Sequence, residues 1–152
     1  MPETGPWPRL GLNDSRGGTY SLRMSDLRAI FPADAPVPAG PYSPAVVFQR
    51  LVFVSGQGAR RPGTDDLAGL DIESQTEQCL RNVDTILRAA GSGLAHVLKV
   101  SVFLTDMDEF QRMNGVYERM FGDHRPARTT IAAAALPAKG LRVEIDCIAY
   151  VP

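Results

Sequence analysis

Apolar residues follow two different spacings along this chain, and these spacings divide it into predicted strands and helices. Six short segments alternate apolar with polar residues, or are rich in β-branched and aromatic residues, which is typical of strands. They are residues 27–31, 45–48, 51–55, 96–105, 128–136 and 141–151. Gln49 and Arg50 separate the second segment from the third, which predicts a β-hairpin, although this pair suits a two-residue turn poorly.

Two longer segments repeat apolar residues every three to four positions and predict amphipathic helices. Asp71 is a suitable N-cap for the first helix, and Gly91 stands where a C′ glycine is expected. Asp106 begins the second helix with Glu109 three residues later, as in a capping box, and Gly122 ends it. The element order β-β-α-β-α-β-β, preceded by an edge strand, predicts an α+β fold with two helices packed on one face of a mixed β-sheet.

The composition describes one domain with a loose segment before it. A length of 152 residues with 44% apolar residues suits one globular core. Residues 1–26 are rich in Gly, Pro and Arg without periodicity, so we expect a loose N-terminal extension followed by a domain over residues 27–152. The alanine run 132–135 in a predicted strand allows another sheet or subunit to approach closely, which favours a homo-oligomer.

The charged residues, cysteines and histidines argue against several classes of function. Sixteen basic and seventeen acidic residues leave a formal charge of -1, which favours neither nucleic acid nor an anionic membrane as a partner. No apolar run approaches the roughly 20 residues of a membrane-spanning helix. Cys79 and Cys147 form no CxxC pair and lie among aliphatic residues, and neither histidine has metal ligands at suitable spacing. We therefore expect core cysteines, a reducing cytoplasmic setting and no metal site.

Arg128 opens a predicted strand that is otherwise apolar, and a guanidinium there is costly unless an anion meets it. Glu144 and Asp146 lie on the following apolar strand. A cation and an anion on neighbouring core strands form either a structural ion pair or a site that binds a small acid. An antiparallel hairpin of the two strands would place Arg128 opposite Tyr150, well away from Glu144. Each charge would then need another partner, for example across a subunit boundary.

Further polar positions have both a structural and a functional interpretation. Asn114 lies on the apolar stripe of the second helix, where its amide must form hydrogen bonds, either to a nearby loop or in a site. Tyr42 is fixed between two prolines and suits either a binding wall or the anchor of a turn. Ser55 and Gly56 end a strand with a hydroxyl and backbone N–H groups, a weak signal for an anion-binding corner.

Short motifs follow one another in a fixed order from about residue 27 to the end. They are Gly40-Pro41-Tyr42-Ser43-Pro44-Ala45, Val54-Ser55-Gly56-Gln57, residues 75–82, Ala89-Ala90-Gly91, residues 102–107, Asn114 with Tyr117 and Phe121, Pro126-Ala127-Arg128, Leu136-Pro137 and Val143-Glu144-Ile145. One such fragment is a weak signal. The ordered set resembles the RidA/YjgF family, the reactive-intermediate deaminases.

The resemblance implies a fold, an assembly and a reaction. The fold is a chorismate-mutase-like α+β subunit, and the assembly is a homotrimer with active sites in the clefts between subunits. The reaction is the cofactor-free hydrolysis of enamines and imines, such as 2-aminoacrylate, to a 2-keto acid and ammonia. The partners that it implies are a small carboxylate substrate and further copies of the chain.

The resemblance also implies a role for each candidate residue. Arg128 would bind the substrate carboxylate through two parallel hydrogen bonds. Glu144 would position or activate the water that attacks the imine carbon. The remaining residues would wall, shape and support the cleft or contribute a polar group to it: Tyr42, Ser55, Gly56, Asn114 and Thr130.

Two departures from the family pattern leave alternatives open. Gly58-Ala59-Arg60-Arg61 stands where the family has an aliphatic residue and a proline after Ser-Gly-Gln, which alters the loop beside the pocket or adds charge there. Thr130 stands where some members carry a cysteine, so thiol chemistry at that position is excluded.

One alternative function is a pathway-specific deaminase, such as an aminomuconate-like enzyme, and another is a trimeric regulator that binds small carboxylates without turnover. RNA cleavage is the least favoured, because the charge is near neutral.

Overall fold

A six-stranded mixed sheet carries both helices on one of its faces, which confirms the predicted fold class. The computed structural model describes residues 12–13, 19–20 and 27–152, and neither helix in that part of the chain is long and apolar enough to cross a membrane. β1 and β2 form a separate antiparallel pair. The elements are β1 (Leu12–Asn13), β2 (Thr19–Tyr20), β3 (Leu27–Ile30), β4 (Ala45–Phe48), β5 (Leu51–Gln57), α1 (Ile72–Ala89), β6 (Val97–Leu104), α2 (Phe110–Phe121), β7 (Ala127–Ala132) and β8 (Val143–Tyr150).

The strand order β3-β4-β5-β8-β6-β7 shows that the predicted hairpin between the last two strands is wrong. α2 returns the chain to the end of the sheet where β6 began, so β7 pairs parallel with β6 at the sheet edge. β8 enters between β5 and β6, antiparallel to both, and every second side chain of it is buried there. β7 is also shorter than predicted, because its partner β6 ends at Leu104, level with Ala132.

Local sequence signals place several element ends as predicted. The Asp71 carboxylate accepts a hydrogen bond from the backbone N–H of Ser74 at 2.8 Å, which caps α1. Gly91 follows the C-terminus of that helix with φ of 85°, a left-handed conformation that glycine adopts without strain. Gln49 takes the positive φ of 55° that the β4–β5 hairpin turn requires, although its side chain is not favoured in that conformation.

Both cysteines are core side chains, as their apolar neighbours in the sequence predict. Cys79 on α1 is fully buried, and Cys147 on β8 is 3% exposed. Burial raises the pKa of both thiols, that of Cys147 to about 12. Neither thiol is therefore activated as a nucleophile.

The two sheet faces carry different charged residues. Arg128 on β7 is level with Val100, which is fully buried, so it shares the face that the helices cover. Glu144 on β8 is level with Phe103, whose partner on β7 is Ile131. Ile131 is 47% exposed and lies on the face away from the helices. Arg128 and Glu144 therefore point to opposite faces of the same sheet.

Candidate functional site

Glu144 lies directly against the backbone of β5 at an irregularity in the sheet. The register between β5 and β8 shifts between Val54 and Gln57, which leaves Ser55 and Gly56 out of regular pairing. A Cβ atom built on Gly56 would lie 2.3 Å from Oε1 of Glu144. Glycine is the residue that leaves room for this carboxylate.

The segment before β4 forms the opposite wall of a cleft beside Glu144. The Tyr42 hydroxyl accepts a hydrogen bond from the backbone N–H of Ala39 at 3.2 Å. The Ser55 hydroxyl donates to the carbonyl of Ser43 at 2.7 Å, so it fastens this segment to β5. We call the cavity between these elements the Glu144 cleft; it measures about 400 Å³ and is lined by Ala39, Gly40, Tyr42, Ser55, Gly56, Pro137 and Glu144.

The surroundings of Glu144 favour its neutral form. Burial raises the pKa of the Glu144 carboxyl above its ordinary value, and the neighbouring carboxylate of Asp146 raises it further. A carboxylate of this kind binds a proton more tightly than an exposed glutamate does. It is therefore better suited to take a proton from water near neutral pH.

Arg128 lies on the other sheet face, beside two aromatic rings of α2. Its guanidinium carbon is 4.6 Å from the centre of the Tyr117 ring and 5.6 Å from that of Phe110. These are cation–π distances, and the rings hold the guanidinium at the edge of the sheet. Within residues 27–152, neither Arg128 nor Glu144 forms an ion pair.

Buried polar atoms without hydrogen-bond partners accompany Arg128. Among the described residues, Oδ1 of Asn114, the hydroxyl of Tyr117 and Oγ1 of Thr130 are buried and unpartnered. Burial raises the pKa of Tyr117 to about 12, while the charge of Arg128 acts in the opposite direction. Unsatisfied buried groups are costly, so their concentration beside one cation indicates a site that a ligand or another chain completes. We call this group the Arg128 half-site: Phe110, Asn114, Tyr117, Arg128 and Thr130.

The predicted site residues thus fall into two groups rather than one. Tyr42, Ser55, Gly56 and Glu144 meet in the Glu144 cleft. Asn114, Arg128 and Thr130 belong to the Arg128 half-site, on the other face of the sheet. Their assignment to one active site therefore stays a prediction that involves two copies of the chain.

The sequence alone assigns no site role to the two aromatic residues of the Arg128 half-site, which share one face of a helix with Asn114. Phe110, Asn114 and Tyr117 are spaced four and three residues apart, so they lie on one helix face. An asparagine between two aromatic residues at that spacing was the available signal. Its meaning depended on the position of Arg128, which lies on a different strand.

Two buried amides on α1, whose part in the site was not predictable from their positions in the sequence, hold the loops around the Glu144 cleft. Gln75 is fully buried, donates to the carbonyls of Gly69 and Gly140, and accepts from the backbone N–H of Arg142. Asn82 is 1% exposed and donates to the carbonyls of Gly58 and Arg60. These amides position the loops that begin and end beside the cleft.

Comparison with known proteins identifies the family. The family model described as Endoribonuclease L-PSP matches residues 32–151. The chain belongs to the RidA/YjgF family. A RutC family protein of Pyrococcus horikoshii is 44% identical over 121 residues, covering 80% of this chain and 95% of that protein. The human 2-iminobutanoate/2-iminopropanoate deaminase is 39% identical over 128 residues, covering 83% and 93%. The crystal structure of E. coli TdcF with bound serine superposes with a TM-score of 0.76 at 35% identity, covering 81% and 98%.

Proposed function

We propose that this chain is a cofactor-free hydrolytic deaminase of reactive enamines and imines of the 2-aminoacrylate and 2-iminopropanoate type. The observation that carries the proposal is the half-buried carboxylate of Glu144 held against Gly56, because such a group suits a general base beside a small substrate. The name of the human relative supports the same reaction, and the serine bound to TdcF supports an amino-acid-like ligand.

The proposed active form is a homotrimer with its active sites between subunits. Arg128 and Glu144 point to opposite faces of one sheet, so a substrate that contacts both must lie between two copies. The face that carries Glu144 also exposes Phe53 and Ile131, apolar area that a second copy would bury. The unpartnered atoms of the Arg128 half-site would likewise be satisfied at such a boundary.

The proposed chemistry needs one anion site and one base. Arg128 binds the substrate carboxylate, and the ring of Tyr117 supports the guanidinium from behind. Glu144 takes a proton from water as the water oxygen attacks the carbon of the protonated imine, which gives a carbinolamine. Glu144 then passes that proton to the amino group and the C–N bond breaks. The hydroxyl proton leaves with the ammonia as the C=O bond of the keto acid forms.

The other site residues shape the two ends of this substrate position. Tyr42 forms a wall of the Glu144 cleft, and Gly56 leaves room for the carboxylate. Ser55 acts through its hydrogen bond to Ser43, which holds that wall in place. The Asn114 amide and the Thr130 hydroxyl would give hydrogen bonds to the substrate or to the adjoining copy, because neither atom has a partner among the described residues.

Arg128→Ala tests the proposal through the release of ammonia and keto acid from freshly generated 2-iminopropanoate, measured above the spontaneous rate. Loss of a bidentate carboxylate contact, about 1.5–3 kcal/mol per charged hydrogen bond, should lower kcat/KM by about 100-fold or more. Arg128→Lys should recover little, because a lysine cannot form the planar pair of bonds. Arg88→Ala is the control, since that arginine lies on the surface of α1, where it pairs with Asp84. Equal rates for the wild type and Arg128→Ala would refute the proposal.

Two rival functions give different results in the same experiments. A regulator that senses small carboxylates would bind keto acids without any turnover, and Glu144→Gln would leave that binding intact. A ribonuclease, as the family description suggests, would cleave RNA, although a formal charge of -1 gives the chain little general attraction for a polyanion. RNA cleavage with no imine turnover would favour that function over the deaminase.

A further inference from the structure

Two charged side chains, Glu144 and Arg60, line the depression that continues from the Glu144 cleft, within the described part of the chain. The other residues that line this depression are mostly small or apolar, including Gly58, Ala138 and Leu141. A ligand that reacts beside Glu144 and extends along this surface would therefore end at a guanidinium. Arg60 belongs to the segment that departs from the family pattern, and it adds charge beside the pocket.

The backbone of Arg60 is held firmly in place. Its carbonyl accepts a hydrogen bond from Nδ2 of Asn82 at 2.9 Å, and the same amide nitrogen donates to the carbonyl of Gly58 at 3.1 Å. Arg60 also forms a β-bridge with Leu67 across the loop. Because Asn82 is buried on α1, these bonds fix the base of the arginine side chain relative to the cleft.

The guanidinium of Arg60, by contrast, is only weakly engaged. In the described residues its single side-chain hydrogen bond goes from Nη1 to Oδ1 of Asp65 at 2.7 Å, and the Asp65 side chain is 95% exposed. An exposed pair of this kind contributes little to stability, so a ligand anion can displace it at little cost. Even while this pair persists, about four of the five guanidinium N–H donors are available for a planar carboxylate.

We propose that Arg60 binds a second anionic group of the substrate, so that the preferred substrates are imines of acidic amino acids. The inference rests on the proposed deaminase function for the position of the reacting carbon. Arg128 of one copy would bind the carboxylate beside the imine, while Arg60 binds the distal carboxylate in the depression that continues from the Glu144 cleft. A carboxylate is the best match, because a guanidinium pairs with it through two parallel hydrogen bonds.

The adjacent Arg61 provides a matched control. Its guanidinium donates to the carbonyl of Ala68 at 3.3 Å, and its side chain is absent from the lining of the cleft. Arg60→Gln and Arg61→Gln therefore remove the same charge one residue apart. Asp65→Asn removes the competing carboxylate and should strengthen the binding of a second anionic group.

The test is calorimetric titration with keto acids of matched length, 2-ketoglutarate against 2-ketopentanoate and 2-ketoadipate against 2-ketohexanoate. Wild type and Arg61→Gln should bind at least one dicarboxylate about tenfold more tightly than its monocarboxylate, since one charged hydrogen bond to the second carboxylate is enough for a factor of that size. Arg60→Gln should lose that preference, and Asp65→Asn should increase it. The kcat/KM values for the corresponding imines should follow the same order.

The outcomes separate the two proposals. Equal affinity for both members of each pair in the wild type and in Arg60→Gln would overturn the role of Arg60, while turnover of 2-iminopropanoate would still support the deaminase. A dicarboxylate preference that depends on Arg60, without turnover of any imine, would support the Arg60 subsite and count against the deaminase. If no keto acid binds and no preference for dicarboxylate imines is seen in kcat/KM, the role of Arg60 is overturned, and turnover of 2-iminopropanoate alone decides the deaminase.

Discussion

Gly56→Ala perturbs the Glu144 cleft by a distance that the structure defines. The new Cβ would lie 2.3 Å from Oε1, 2.9 Å from Cδ and 3.2 Å from Cγ of Glu144, whereas ordinary contacts begin at 3.4 Å. The carboxylate must therefore move by about 1 Å, and a misplacement of that size can lower a rate by about 100-fold. The fold itself should change little, because the atoms in the way are the end of a flexible side chain beside an open cleft.

The assay pairs kcat/KM for 2-iminopropanoate with urea unfolding at a fixed protein concentration. Gly56→Ala should lower kcat/KM by about 100-fold and leave the unfolding midpoint nearly unchanged. Gly115→Ala is the control, because among the described residues a new Cβ on this exposed glycine of α2 would meet nothing beyond its own helix within 4 Å. It should retain full activity and gain about 0.5–1 kcal/mol of stability, since alanine is the better helix former.

Full activity of a folded Gly56→Ala would refute the reasoning, because the close approach of Glu144 to the β5 backbone would then be irrelevant to catalysis. If the variant instead fails to fold, the double variant Gly56→Ala, Glu144→Asp decides the matter. The shorter side chain relieves the overlap, so it should restore folding. A double variant that stays unfolded would show that the glycine is needed for another reason.

The remaining predictions concern pH and the buried amides. Burial raises the pKa of Glu144 above its ordinary value of 4.5, so just above that pH the folded state binds more protons than the unfolded chain. The free energy of unfolding therefore falls as the pH rises through the folded-state pKa. Glu144→Gln should therefore have the same free energy of unfolding in urea as the wild type near pH 4 and a larger one at pH 7. In the wild type, the acidic limb of the kcat/KM profile should lie above pH 4.5. A stability difference between the two proteins that does not depend on pH would contradict this. Gln75→Leu leaves three backbone groups without partners. At about 1–3 kcal/mol per lost partner, it should lower the free energy of unfolding, measured in urea, by about 3 kcal/mol or more. A loss under 1 kcal/mol would show that the loop of Gly140 and Arg142 does not depend on this amide.

Local order along the chain was largely predictable from the sequence. The period of apolar residues located both helices, and Asp71 and Gly91 marked the ends of α1 because capping depends on groups within one turn. The alternation along β8 also separated Glu144 from Cys147, since neighbouring strand residues point to opposite faces. The family resemblance supplied the candidate residues; the family match confirms the family, while the roles of those residues stay predictions.

The relation between the candidate residues was decided by tertiary structure. The sequence determined which side chains share a face within β7 and within β8. It did not determine which strands are neighbours, or how the faces of β7 and β8 correspond across the sheet. Strand neighbours are set by competition among all strands and crossovers for burial, a property of the whole chain. The insertion of β6 between β7 and β8, and the register that follows, turned Arg128 towards α2 and Glu144 towards the open face. That geometry, rather than the presence of the two residues, is the reason to place the proposed active site between subunits.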